Sequence, residues 1–105
     1  MQDEAARPVV FSLIKQIPKG YVSTYKAVAQ AGNINARQVG RILHTNTNPE
    51  IYPCHRVVHS DGSTATGFAF GGPGKQQEFL EGEGLVFKSN KVVLKQFLFT
   101  KFMQK

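Results

Sequence analysis

Apolar residues recur at helical spacing near the start of the chain. Val10, Phe11, Leu13, Ile14 and Ile17 form one apolar side and predict a helix. It is expected to start near Pro8, because proline suits a first helical turn, and to end at Pro18-Lys19-Gly20. Tyr21-Val22 reads as a short extended piece. Ser23 or Thr24 can cap a second helix, Tyr25 to Ala31, which stops at Gly32. Asn33-Ile34 makes a tight turn, and Asn35 caps a third helix, Ala36 to His44. Two short helices joined across such a turn form a helix-turn-helix. In the third helix Val39, Ile42 and Leu43 share one face, while Arg37 and Arg41 share another. Gly40 has no side chain and would permit close approach by another helix or backbone.

Thr45 to Tyr52 is a loop of Thr, Asn and Pro, followed by Pro53-Cys54-His55-Arg56-Val57-Val58 and a turn at Ser60-Asp61-Gly62. Gly67 to Gly74 is glycine-rich. Lys75 to Glu81 predicts a helix with Phe79 and Leu80 inward. Leu85–Lys88 and Lys91–Leu94 flank Ser89-Asn90 and predict a hairpin. Phe97 to Lys105 mixes Phe with Lys, as a helix or a frayed end would. The pattern is mainly α with a small β-hairpin or wing. At 105 residues it fits one domain spanning 1–105, with no repeat or linker.

Charge adds a partner class. The net charge is +6. Six basic residues and no acid lie between Ala5 and Pro49, and five lysines and no acid lie in the last 21 residues. Such clustering is a footprint for a polyanion, although a soluble basic surface would look the same. No apolar stretch approaches the ~18 residues of a membrane span, and the N-terminus lacks the order of a signal peptide. The expected location is intracellular, where a lone thiol stays reduced.

Cys54 is the single cysteine. It can be a small core residue, a free thiol or a nucleophile. His55, Arg56 and His59 stand near it in sequence and could lower its pKa. A protease arrangement could draft His44 and Asn46, but no protease signature surrounds the cysteine. One Cys and three irregularly spaced His do not suit a metal, so neither metal nor cofactor is expected.

The run Pro53-Cys54-His55-Arg56-Val57 resembles the active-site motif of the O6-alkylguanine-DNA alkyltransferases. Ile17-Pro18-Lys19-Gly20 with Val22-Ser23-Thr24-Tyr25 resembles the entry to that family's helix-turn-helix. Ala36-Arg37-Gln38-Val39-Gly40 resembles its recognition helix. Asn46, Gly71-Gly72, Lys75 and Glu83-Gly84 match further positions, so the resemblance covers roughly residues 8 to 95. It implies a winged helix-like DNA-binding domain and an irreversible, single-turnover transfer of an alkyl group from guanine O6 to Cys54.

The resemblance also implies roles. His55, through a water and Glu83, would help deprotonate Cys54, and Tyr25 would protonate the leaving guanine. Arg37 would enter the duplex in place of the flipped nucleotide, and Asn46 would join the recognition helix to the active-site loop. Thr24, Tyr25, Ala36, Gln38 and Arg41 would lie at the DNA, with Arg41 facing phosphate or solvent. Pro53, Phe70, Gly71, Gly72 and Lys75 would wall the substrate pocket. The implied partner is double-stranded DNA carrying O6-alkylguanine, bound through the minor groove by a monomer, within a larger repair fusion or an excision-repair handoff.

The family's N-terminal domain is not represented, the loop at 63–66 is longer than usual, and Phe70 stands where many members have Ser or Trp. A non-enzymatic alternative is the alkyltransferase-like proteins, which are similarly short and flag O6-alkylguanine for excision repair. These usually carry Trp or Ala where this chain has Cys54. A plain winged-helix regulator reading sequence in the major groove is the third reading.

Overall fold

The computed structural model describes residues 2–65 and 74–103. The expected pocket residues Phe70, Gly71 and Gly72 lie outside the described residues.

Helix α1 runs Asp3–Ile14, so it begins well before the expected start near Pro8. Asp3 and Glu4 in its first turn complement the positive end of the helix dipole. Ala6 adds a buried position, and Pro8 sits inside the helix, where it forgoes one backbone donor. Beyond Ile14 the chain tightens: the Gln16 and Ile17 amides donate to the Leu13 and Ile14 carbonyls at 3.0 and 3.1 Å. That turn keeps Ile17 in the core.

The helix-turn-helix forms as its polar caps predict. The Thr24 hydroxyl accepts from the Ala27 amide at 3.0 Å and opens α2, Tyr25–Gly32. Asn33 takes a left-handed conformation with φ 57°, which closes α2. The Asn35 side chain accepts from the Gln38 amide at 2.8 Å and opens α3, Ala36–Leu43. Val39, Ile42 and Leu43 turn inward. They pack with Val10, Leu13, Ile14, Ile17 and Val28 from α1, its end and α2, and Cys54 and Val57 belong to this same cluster.

Two small sheets brace the helices. β1, Ser23–Thr24, pairs in parallel with β2, Val57–Val58, with Ser23 opposite Val57. This pairing sets the chain just after Cys54 beside the start of α2. β3, Phe87–Lys88, and β4, Lys91–Val92, form the expected hairpin. Ser89 and Asn90 both have positive φ, 52° and 63°, as the tightest right-twisting hairpin turns require. The turn at Ser60-Asp61-Gly62 docks on β4 through a Val92 amide to Gly62 carbonyl bond of 2.9 Å. Gly62 has φ +91°, and a side chain there would stand 2.5 Å from the Val92 carbonyl oxygen.

Two further expectations change. Helix α4, Lys75–Gly82, buries Leu80 but not Phe79, which is 46% exposed. Gln76, one turn before Leu80, takes the second inward place. The tail is neither a long helix nor frayed through its described part. After a short α5, Leu94–Phe97, it runs extended beside Val22, whose amide donates to Phe97 and whose carbonyl accepts from Phe99. Phe99 and Phe102 then pack on the main core, and the Gln16 side chain grips both backbone groups of Met103. Among the described residues, no helix is long and apolar enough to cross a membrane.

Candidate functional site

Cys54 opens one 3₁₀ turn, Cys54–Arg56, directly after buried Pro53. The Arg56 amide donates to the Pro53 carbonyl at 2.9 Å and closes the turn. Behind it lies Asn46, 5% exposed. Its amide nitrogen donates to the Tyr52 carbonyl at 2.9 Å, its oxygen accepts from the Asn48 amide at 2.9 Å, and its side chain also hydrogen-bonds the thiol. One buried amide thus ties the end of α3 to the cysteine loop.

The thiol environment corrects an expectation. Burial pushes the Cys54 pKa up, and the Asn46 hydrogen bond and a backbone hydrogen bond offset this only in part. Neither His55, Arg56 nor His59 lowers it, because each is engaged elsewhere. His55 Nε2 lies 3.0 Å from Glu83 Oε2. Arg56 bonds Glu83 and the Ile17 carbonyl. The His59 ring packs on Tyr25 at 5.2 Å. Labelling of the free protein by iodoacetamide should therefore be slow at pH 7 and still be rising at pH 9. A plateau near neutral pH would show a thiolate already present at rest.

Tyr25 faces the cysteine from the first turn of α2. Burial raises its phenol pKa, and a charge on Cys54 would raise it further, so the two groups are close enough to interact. Glu83 caps the end of α4 and takes hydrogen bonds from His55 and Arg56. Arg56 forks onto it with Nε to Oε1 at 2.9 Å and Nη2 to Oε2 at 2.7 Å. Arg56 Nη1 donates to the Ile17 carbonyl at 2.9 Å. Burial alone would raise the Glu83 pKa, but the hydrogen bonds from Arg56 and His55 outweigh it and hold the carboxyl below its ordinary value. The Phe79 ring sits edge-on to His55 at 5.9 Å, which explains its outward place on α4.

Two contributors were not singled out from sequence. From sequence Arg56 stands out only as a neighbour of the thiol, yet an arginine beside buried Cys54 and Val57 needs an acidic partner. Gln76 carried a weaker sign, since it shares the inward face of α4 with Leu80 at helical spacing. Its amide nitrogen donates to the His55 and Val57 carbonyls at 2.9 and 2.8 Å, and its oxygen accepts from the Ala65 amide at 2.8 Å. Gln76→Leu keeps the volume but strands three backbone groups. It should lower stability by about 2–4 kcal/mol, read from the urea midpoint.

The outer face of α3 carries Ala36, Arg37 and Arg41, all exposed. Arg37 has no ion pair among the described residues, whereas Arg41 is clasped by Asp3. Thr24 and Gln38, expected at the DNA, are buried; the Thr24 hydroxyl is spent as the α2 cap. Lys75 is exposed and pairs with Glu78 at 3.2 Å. The described residues contain no group of three His, Cys, Asp or Glu able to hold a metal ion.

A family profile described as 6-O-methylguanine DNA methyltransferase, DNA binding domain, matches residues 6–85. A bifunctional methyltransferase/endonuclease of Picrophilus torridus is 36% identical over 95 residues, covering 89% of this chain and 31% of that protein. The methylated-DNA–protein-cysteine methyltransferase of Rattus norvegicus is 36% identical over 86 residues, covering 80% of this chain and 41% of that protein. The chain thus spans less than half the length of these relatives. Among solved structures, S. pombe Atl1 in complex with damaged DNA containing O6-carboxymethylguanine matches with TM-score 0.82 and 27% identity. That match covers 94% of this chain and 98% of the other. O6-methylguanine-DNA methyltransferase from Pyrococcus kodakaraensis matches with TM-score 0.66 and 34% identity, over 77% of this chain and 46% of that one.

Proposed function

The chain belongs to the 6-O-methylguanine DNA methyltransferase family, and on that premise we propose that it binds duplex DNA carrying O6-alkylguanine and takes the alkyl group onto Cys54. The carrying observation is a cysteine retained beside an assembled His55–Glu83 pair, with Tyr25 close enough to couple to the thiol.

The chemistry is a displacement at a saturated carbon. The Cys54 sulfur forms a C–S bond as the carbon–O6 bond breaks, and the electron pair leaves with guanine. Nε2–H of His55 donated to Glu83 leaves Nδ1 as the basic nitrogen, able to take the thiol proton through a water. Tyr25, kept protonated by burial, gives its proton to the departing base. The thioether has no ready leaving group, so each molecule acts once. Because the reacting carbon lies inside a duplex, the base must be flipped out. Exposed Arg37 on α3 is the side chain we assign to the vacated place in the stack, entering from the minor groove with the protein acting as a monomer.

A second reading is a lesion binder that hands O6-alkylguanine to excision repair. Its supporting observation is the near end-to-end match to S. pombe Atl1. Intact mass spectrometry after incubation with a methylated duplex separates the two: a covalent methyl group supports transfer, and tight binding by an unmodified protein supports the lesion binder.

A further inference from the structure

The two arginines of α3 are in different states. Arg41 Nε lies 3.0 Å from Asp3 Oδ2, and its Nη2 lies 3.1 Å from Asp3 Oδ1. The Gln38 side chain also hydrogen-bonds this carboxylate. The clasp is open to solvent, with the two side chains 56% and 46% exposed. A carboxylate gripped by two parallel donors of a guanidinium is the geometry in which arginine also grips a phosphate. We propose that Arg41 is the binding site for a DNA backbone phosphate, and that in the free protein the carboxylate of Asp3 occupies it.

The proposal rests on the DNA-binding reading and adds an internal competitor to it. Asp3 comes from the first turn of α1, 38 residues from Arg41, so the clasp is not an intrahelical pair. Within the acid-free stretch from Ala5 to Pro49 no other carboxylate can serve, and the basic surface of α3 is neutralised only from outside that stretch. A phosphate arriving at α3 must displace Asp3, and the displaced carboxylate then opposes it. The site therefore weakens binding to DNA in general while leaving Arg37 free. A protein that must leave undamaged duplex quickly to find a rare lesion gains from that arrangement.

The test is fluorescence anisotropy with an undamaged duplex across a range of salt. Asp3→Asn keeps the shape of the side chain and removes the charge. It should bind roughly fivefold to tenfold more tightly near 0.1 M salt, with a salt slope steeper by about one. Glu4→Gln is the control, since Glu4 neighbours Asp3 but has no ion pair among the described residues. Its effect should be clearly smaller. In an Arg41→Gln background the gain from Asp3→Asn should shrink to the level of Glu4→Gln. Equal effects of Asp3→Asn and Glu4→Gln, or no change at Asp3, would overturn the site while leaving duplex binding by the parent intact. A parent that binds no duplex at all would instead overturn the DNA-binding reading itself.

Discussion

Incubated with excess duplex carrying O6-methylguanine, the protein should gain the mass of one methyl group and then stop. The modified peptide should contain Cys54, the single cysteine. Cys54→Ser replaces a soft nucleophile with a hydroxyl hardly ionised at neutral pH. Transfer should fall by at least roughly a thousandfold, the scale on which enzymes lose activity with their nucleophile. Affinity for the lesion duplex should stay near the parent value, because Cys54 is 7% exposed and the α3 surface is untouched. Persistence of transfer in Cys54→Ser would mean the nucleophile lies elsewhere. A parent that binds tightly without gaining mass would establish the lesion-binding reading in its place.

Arg37→Ala should separate flipping from chemistry. Flipping a base costs a few kcal/mol, and a guanidinium in the vacated stack offsets part of that. Losing about 1.4–2.7 kcal/mol of the offset should slow transfer from duplex roughly tenfold to a hundredfold. A free O6-alkylguanine base needs no flipping, so its transfer to Arg37→Ala should be nearly unchanged. The ratio of the two rates is the readout. Equal slowing of both substrates would show that Arg37 shapes the site instead of filling the stack. Melting curves should not move, because Arg37 is exposed and carries no ion pair among the described residues.

What sequence reasoning could see was local. Thr24, Asn35 and the Gly32-Asn33 break announce α2 and α3 because caps act within one turn of the residues they satisfy. Ser89-Asn90 announces the hairpin for the same reason. Long-range pairings left no such trace. The parallel match of Ser23 with Val57 joins residues far apart by two ladder positions, too short for a strand pattern. Arg56 reaches Glu83 across 27 positions, and Asp3 reaches Arg41 across 38. Resemblance to a family brought Cys54, His55 and Glu83 together in advance, but it was silent on Arg56 as the second grip on Glu83. Pro8 misled because proline marks a helix start more often than it interrupts one, and here burial of Ala6 and the acids before it outweigh one missing donor.

The depth of Cys54 has a consequence for how long a molecule remains usable. On the proposed transfer reading, the protein reacts once and is spent by any electrophile it meets, so indiscriminate reactivity would be attrition. Holding the thiol neutral among the packed side chains of three helices would shield it between the lesions that this reading has it meet. The same arrangement makes that protection conditional on an intact fold. Once the core opens, the thiol returns to its ordinary acidity and to solvent, where metabolites and oxidants can consume it. Shelf life and thermal stability would then be one property, and variants that loosen the core should lose their thiol to oxidants faster than the parent.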